Sequence, residues 1–572
     1  MRERVALFVG IDLGTTQTAA CVGTITDGGA LKHQRLPLLQ PVTSQNSTDE
    51  KEILPSVVWL DGDKVLTGSY PQRYARRLAA ETPNSHLIRS IKREMGNVAW
   101  SVSSGKSVYR PCHIAGLILA TVRRSLLRAY PGQLIERVTI TTPASFSSAM
   151  RRETLEAARL AGFPPDRTVL LDEPVAAFLS LFAEVPPEDL PDPATVLVFD
   201  MGGGTLDVSV MEYRRLESTI ELLSTSRYNE VAGDDLDLEL AAMVLRQARM
   251  LDSAVLPDKG EPGFGLGMLA IGEQVKMALN DLIKREGPRL GSFTTKINAH
   301  ANSPINVPIG EQFPGVSPQV LQLKAAELLK SIEPFFDEDD RAKTSRTIFV
   351  PLDQALQAAR KTRENIHKVY LTGGSSEFLP VQDAIQRSFG TLPNRLEPFH
   401  AVALGALVWA ANAQTHSIHL REYLFENLYL QRVGNRFFKV LEAPIPVPAD
   451  GEQLQWVNAS LPTGNEAIHL PEQSRQVRLN FFRGCDLHDP SMTLAHSELL
   501  EVPHNVREGA PLRRLEAAVD RHKVFHCQFQ FEGHGGEVKT RLDFSSIDGR
   551  PASTNRYERG LVLNGEPLLS SD

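Results

Sequence analysis

This 572-residue sequence predicts an α/β fold of two similar lobes facing one another across a cleft, followed by a smaller β-rich domain. Three observations carry that prediction. Strand-like and helix-like patterns alternate as far as Asn412, the signature of an α/β architecture. One short device, an apolar strand, an Asp, a Gly/Thr turn and a second strand, occurs twice, as Val9-Gly-Ile-Asp-Leu-Gly-Thr-Thr16 and Val198-Phe-Asp-Met-Gly-Gly-Gly-Thr205. Beyond Ala413 the composition changes to short strand-like runs separated by Pro, Gly, Asn and Asp.

The elements follow in order. The apolar run Val5 to Ile11 leads into the first turn, and Thr18 to Ile25 forms the second strand of that unit. Leu206 to Met211 is its counterpart in the second copy. Apolar residues at helical period predict helices over Ile114 to Ala129, Ala149 to Ala161, Asp235 to Leu251, Gly267 to Leu282 and Pro380 to Phe389. Ala401 to Ala411 is small and apolar all round, as a buried helix is. The later strands are Phe437 to Leu441, Leu454 to Val457, Val477 to Phe482 and Val524 to Phe531, and Asn564 to Asp572 reads as a polar, frayed end.

Composition narrows the function. A net charge of -8 leaves no basic footprint for nucleic acid. Cys21, Cys112, Cys485 and Cys527 show no Cys-x-x-Cys spacing, so neither a zinc site nor a disulfide framework is indicated and reduced, buried thiols are expected. No apolar stretch reaches the ~20 residues of a membrane span, and the first apolar run has no cleavage-like site after it. A cytoplasmic protein without a membrane partner is expected.

The two turns carry chemistry. Glycines there let the backbone approach a ligand closely, and successive N–H groups converge on an anion such as phosphate. Thr15, Thr16 and Thr205 add hydroxyl donors. Asp12 and Asp200, one per copy, would face each other, and two carboxylates beside a polyphosphate suit Mg²⁺, which keeps several waters. A third strand, ending in Val369-Tyr-Leu-Thr-Gly-Gly-Ser-Ser376, places N–H groups at a strand-to-helix corner suited to a nucleoside. Glu273, Lys276 and Asn280 share a helix face and are placed to bond a ribose; their spacing accounts equally well for a solvated face.

These segments together resemble the heat shock protein 70 chaperone family (DnaK-like). Val9 to Thr16 and Phe199 to Val208 are similar to its two phosphate loops, and Leu371 to Ser376 to its adenosine motif. Thr142-Pro-Ala-Ser-Phe146 with Arg151 resembles its interlobe switch. Leu171 to Ala177 and Ala401 to Ala406 resemble its connecting segments, and Ile91 to Gly96 the stretch with its catalytic lysine. The resemblance implies a two-lobed actin-like ATPase domain over residues 1–412, a linker over 413–425 and a β-sandwich-like substrate domain over 426–572, with too little chain for a helical lid.

It also implies roles. Asp12 and Asp200 would hold Mg²⁺ through waters, and Gly14, Thr15, Thr16, Gly202, Gly203, Gly204 and Thr205 the phosphates. Lys92 would reach the γ-phosphate and the attacking water, and Glu173 and Asp207 would orient that water or the metal's shell. Glu273, Lys276, Asn280 and the Gly373–Gly374 backbone with Ser375 would contact adenosine. Pro143 and Arg151 would relay nucleotide state to the second domain.

The departures matter as well. Met277 and Glu377 stand where the family's adenine-stacking arginines are expected, Asn280 replaces a serine, and about Leu282 to Val350 matches poorly. Weak adenine binding is therefore expected. The linker segment Thr415 to Glu422 offers only Ile418 and Leu420 as aliphatic residues, so weak coupling between the domains is expected.

The resulting expectation is an ATP-dependent chaperone-like ATPase that uses ATP and Mg²⁺. Its partners would be an unfolded peptide or a dedicated client protein, with a co-chaperone or nucleotide-exchange factor. The alternatives are a small-molecule kinase of the same fold, an actin-like filament protein and a nucleotide-binding regulator that hardly turns over. The Pro143/Arg151 segment and the β-rich tail argue against the first, the tail against the second, and Lys92, Glu173, Asp200 and Thr205 against the third.

Overall fold

The computed structural model describes residues 6–567 apart from 43–47, 75–77, 79–81, 83, 184–186, 227–230, 252–253, 257–258, 260–263, 285–301, 314, 339–345, 433–435, 450, 462–467, 470–475, 485–491, 502–503, 505, 507–508, 534–535, 544–561 and 564–565. Most of the polar end Asn564 to Asp572, and Cys485, lie outside the described residues. Cys21, Cys112 and Cys527 are buried free thiols.

Each copy of the repeated device sits at the centre of its own sheet. In the first, Ala6–Leu13 pairs antiparallel with Gln17–Ile25 and parallel with Leu134–Thr142, which in turn pairs parallel with Thr168–Asp172. In the second, Ala194–Met201 pairs antiparallel with Leu206–Arg214 and parallel with Lys368–Thr372. The same connectivity thus appears twice. The near-continuous burial of Ala194–Met201 is that of a strand covered on both faces.

Helices close each sheet over a separate core. Pro111–Ala129 packs its Ile114, Leu117, Ile118 and Val122 under the first sheet, among Val9, Ile11, Val138 and Ile140. Gly233–Arg249 and Phe264–Lys284 cover the second sheet with Leu236, Leu240, Val244, Ile271, Val275 and Leu279. Ala401–Thr415 continues four residues past the sequence expectation and packs on the first sheet through its small residues. Its approach needs glycine: a Cβ on Gly10 would lie 2.2 Å from the Ala403 carbonyl oxygen, and one on Gly405 1.6 Å from that of Ala176. The expected helices are all present, with ends that differ by a few residues. Among the described residues no helix is long and apolar enough to cross a membrane.

After Thr415 every described element is a strand. His416 ends the helix in the left-handed region, and the Asn412 side chain fastens the turn by bonding both backbone polar groups of Ile418. His419–Arg421 then joins the second sheet as an edge strand, parallel to Thr219–Glu221. The segment expected as the linker is thus paired to the second sheet, with Ile418 buried.

Among the described residues the C-terminal region holds two four-stranded antiparallel sheets. One orders Arg436–Leu441, Asn427–Arg432, Gln476–Gly484 and Thr493–Glu501; the other orders Val457–Asn458, Leu512–Val519, Phe525–Gly533 and Gly536–Asp543. Leu428, Leu430 and Phe481 of the first share one buried cluster with Leu515, Ala517, Cys527 and Phe529 of the second. Of the strand expected over Leu454 to Val457, only Val457 pairs, with Ala517, and the strand continues to Asn458, which pairs with Glu516. Leu512–Val519 has no strand signal in sequence: Leu512, Leu515 and Val519 recur at helical spacing, and pairing with Phe525–Gly533 overrides that pattern.

Candidate functional site

The two repeated turns meet between the lobes. At the first, the Ser56 hydroxyl donates to the Gly14 carbonyl at 2.8 Å and the Ser56 N–H to that of Thr16. At the second, the Gly202 N–H donates to the Thr205 carbonyl at 3.0 Å, and the N–H groups of Gly233 and Asp234 hold the carbonyls of Gly202 and Gly203. The turns oppose each other closely enough that a Cβ on Gly203 would lie 2.3 Å from the Thr16 hydroxyl and one on Gly204 2.6 Å from Thr15 Cγ2. Gly373, with φ of 83°, brings a third loop against Asp200; a Cβ there would lie 2.6 Å from Asp200 Oδ1.

Around these turns lies a cavity of about 480 Å³, within the range of small-molecule sites. It brings together Asp12, Gly14, Thr15, Thr16, Lys92, Glu173, Asp200, Gly202, Gly203, Thr205, Glu273, Lys276, Asn280, Gly373, Gly374 and Ser375. These candidates come from segments scattered between residues 12 and 375. Gly204 and Asp207 are not among its lining residues; Asp207 lies directly across the hairpin from Asp200. Pro143 and Arg151 stand behind the cavity, where Arg151 donates to Thr142 Oγ1 and to the carbonyls of Pro143, Ala144 and Phe146.

One end of the cavity gathers charge. Lys92 and Glu173, both almost wholly buried, form an ion pair there. Burial disfavours the Lys92 ammonium, yet Glu173, Asp12 and Asp200 outweigh it and raise its pKa. Burial and the Glu173 charge push Asp12 up to about 7, against the hydrogen bond from Thr141. Burial, with Glu173 and Asp207 beside it, raises Asp200 well above the carboxylate range. Burial and Glu173 likewise bring Asp207 to about 7 although the Ser145 N–H donates to its Oδ1. Asp207 Oδ2 has no hydrogen-bond partner. Three buried carboxylates, Glu173, Asp200 and Asp207, and the half-buried Asp12 thus surround the Lys92 ammonium, an arrangement that suits a further cation. Among the described residues no three His, Cys, Asp or Glu side chains converge as direct metal ligands.

The other end differs from what spacing alone suggests. Lys276 pairs with Asp237 at 2.8 Å. The Asn280 amide is engaged at both ends by the neighbouring loop, donating to the Glu377 carbonyl and accepting from the Leu379 N–H. The Glu377 carboxylate faces Arg395 at 3.3 Å and Lys284 at 3.9 Å, while Met277 is 60% exposed. Phe399 also lines this end, close to Gly374. Asp234 and Arg93 were not singled out by sequence: they lie 3.4 Å apart and bridge the lobes at the mouth. Asp234 stands in none of the quoted motifs and Arg93 stands beside Lys92 in the Ile91 to Gly96 stretch, and their juxtaposition depends on how the lobes close.

The sequence matches the family described as Hsp70 protein over residues 8–254 and 341–431, more than half of the chain. The match omits residues 255–340, which cover most of the segment from about Leu282 to Val350 noted above, while its last ten residues fall inside the match.

Proposed function

We propose, from the premise that the chain belongs to the Hsp70 family, that it binds Mg-ATP between its lobes, hydrolyses it, and couples that cycle to protein or peptide binding by its C-terminal sheets. The observation that carries this reading is the meeting of the two phosphate-type turns beside the buried Lys92–Glu173 pair and Asp12, Asp200 and Asp207.

In this reading the backbone N–H groups of both turns and the hydroxyls of Thr15, Thr16 and Thr205 bind the phosphates. Asp12 and Asp200 would hold Mg²⁺, which when bound would supply charge neutralisation for the phosphates. Glu173 and Asp207 orient the attacking water by accepting its hydrogens. Lys92 donates to the γ-phosphoryl oxygens and stabilises the charge that builds there. Catalysis is thus positioning and electrostatics, with no covalent intermediate on the protein. Glu273, Lys276 and the Gly373–Ser375 loop receive the nucleoside. The two C-terminal sheets, read as a β-sandwich over residues 426–572, are the client-binding unit, and a cytoplasmic location fits that role.

The test is ATP turnover by the full chain, with and without Mg²⁺ and a panel of unfolded peptides. Mg-dependent phosphate release that changes on adding peptide supports the reading. Phosphate transfer to a small molecule instead of water replaces it with a kinase, and binding without turnover replaces it with a nucleotide-dependent regulator.

A further inference from the structure

One aromatic ring is left uncovered in the cavity, at its nucleoside end. Two rings line the cavity, those of Phe378 and Phe399. Phe378 is buried in the core of the second lobe, whereas Phe399 is 39% exposed. The chain around Phe399 is packed: Leu396, His400, Ala401 and Val402 are all buried. The Glu397 carboxylate accepts from the His400 N–H at 2.5 Å, and the Glu397 carbonyl accepts from the Ala401 N–H at 3.1 Å. These bonds fix the turn that enters the helix Ala401–Thr415, and Pro398 restricts the backbone just before the ring. Phe399 is therefore presented to the cavity by a fixed turn.

The ring borders an open slot. A Cβ added to Gly374 would lie 3.5 Å from Phe399 Cε1, and apart from the chain neighbours of Gly374 no other described atom would come within 4 Å. A flat group with an apolar face gains from such a wall, and a phosphate does not. The side chains able to read the edge of a base are committed elsewhere. Two side-chain amides line the cavity, Gln17 and Asn280. Gln17 opens the strand that leaves the first phosphate turn, and the Asn280 amide is bonded at both ends to the Glu377–Leu379 loop. Lys276 is paired with Asp237, and the Glu377 carboxylate with Arg395 and Lys284. Asp281 is exposed to solvent. Strong rejection of a wrong base needs a buried donor or acceptor that the wrong base leaves unpaired. Stacking makes no such demand, because every base has a face.

We infer that Phe399 is the stacking platform for the base, and that the cleft selects its substrate by the triphosphate and a flat face and not by the base edge, so that it takes guanosine triphosphate as well as adenosine triphosphate. The inference rests on the hydrolytic reading above and widens the substrate class of that same site. The two turns read the phosphates, which all nucleoside triphosphates share, and Phe399 adds a grip that either purine satisfies.

The experiment uses the full chain with Phe399→Ala, Phe399→Trp and, as a control on an exposed apolar residue nearby in sequence, Leu392→Ala. Calorimetry gives the affinities for ATP, GTP and inorganic triphosphate, each with Mg²⁺, and phosphate release gives turnover of the two nucleotides. In the unmodified protein ATP and GTP should bind within about tenfold of each other, the span that a site without edge readout allows. Loss of a base–aromatic stack costs about 5- to 100-fold in affinity, so Phe399→Ala should weaken ATP and GTP alike by at least about fivefold. Inorganic triphosphate, which has no base, should bind Phe399→Ala as it binds the unmodified protein. Phe399→Trp should restore both nucleotides, and its added indole fluorescence should be quenched by ATP and GTP and not by inorganic triphosphate. Leu392→Ala should match the unmodified protein throughout. If Phe399→Ala does not fold, the fluorescence of Phe399→Trp carries the test. A folded Phe399→Ala that loses less than about fivefold for nucleotide overturns the stacking role, and so does an equal loss for inorganic triphosphate, which would make the ring a support for the phosphate turns. A preference for ATP over GTP of more than about tenfold overturns the wider substrate class. Nucleotide binding without phosphate release overturns the hydrolytic reading instead.

Discussion

Lys92 and Glu173, 81 residues apart in sequence, form a buried ion pair at the floor of the cleft. Lys92 also lies 5.9 Å from the Phe146 ring, so the Thr142 to Phe146 segment forms one wall of its site. Asp12, Asp200 and Asp207 share the same ammonium as a counter-charge.

Lys92→Ala should therefore lower kcat by about 10²–10³ while ATP still binds, as loss of a preorganised donor does. Removing one partner of a buried pair also costs about 3–5 kcal/mol of stability. That loss should ease as pH falls and the carboxylates protonate. Steady-state turnover, calorimetric affinity and denaturation at two pH values check the three parts; lost binding with kcat unchanged would reassign Lys92 to ground-state binding.

Asp200→Asn should cut Mg-ATP turnover sharply, because Asp12 and Asp200 face the same space and jointly set where a cation sits. Equal turnover in variant and unmodified protein would remove Asp200 from the site.

Cation binding should be linked to pH with a definite sign. Asp12 and Asp207 are raised to about 7, so the nucleotide-free fold binds more protons than the unfolded chain between the ordinary value of 3.8 and about 7. Their contribution makes the free protein less stable as pH rises through that window. A cation needs these carboxylates ionised, so Mg-ATP affinity should rise from pH 6 through about 7 and level off above, with proton release on binding. Calorimetry in buffers of different ionisation enthalpy measures the released protons; affinity independent of pH would contradict the assignment.

Gly203→Ala should weaken nucleotide binding more than it weakens the fold. The added Cβ would lie 2.3 Å from the Thr16 hydroxyl, so the two turns must separate. Titration with ATP and a melting curve distinguish the two effects, and unchanged affinity would mean that the turns do not close on the ligand together.

At the nucleoside end, Met277 is exposed toward the cleft and Glu377 is engaged with Arg395 and Lys284, so neither supplies a cation to stack on a base. Such a stack is worth about 0.5–2 kcal/mol. Met277→Arg should tighten ATP by that order. Calorimetry showing no gain would place the base elsewhere in the cavity.

The linker exposes a limit of reasoning from side-chain character. Ile418 and Leu420 alone argue for weak docking, and that estimate counts only two aliphatic side chains. In the structure His419–Arg421 gains a backbone ladder with Thr219–Glu221, and Glu422 pairs with Lys523. A ladder depends on backbone groups that every residue carries, and the ion pair on a lysine 101 residues further along. Neither is visible in the linker's own composition. How far nucleotide shifts this docking is measured by peptide dissociation with ADP and with ATP in Thr205→Ala; less than about a tenfold difference is expected if the ladder and ion pair persist in both states.

By itself, the sequence determined the local devices. A strand running into Asp and a Gly/Thr turn has few backbone solutions, so Val9 to Thr16 and Val198 to Thr205 announce their hairpins, and their duplication announces two matching sheets. The helices are legible for the same reason: Pro111–Ala129 and Gly233–Arg249 each repeat their apolar residues at the helical period. Only the tertiary structure decided what those devices face. It turned the Asn280 amide to the Glu377–Leu379 loop, set Arg93 beside Asp234, and carried Lys523 to Asp172 across 351 residues. The reason is physical. Turn and helix preferences arise from neighbours along the chain, whereas the partner of a buried charge is chosen by which surfaces the packed cores bring together.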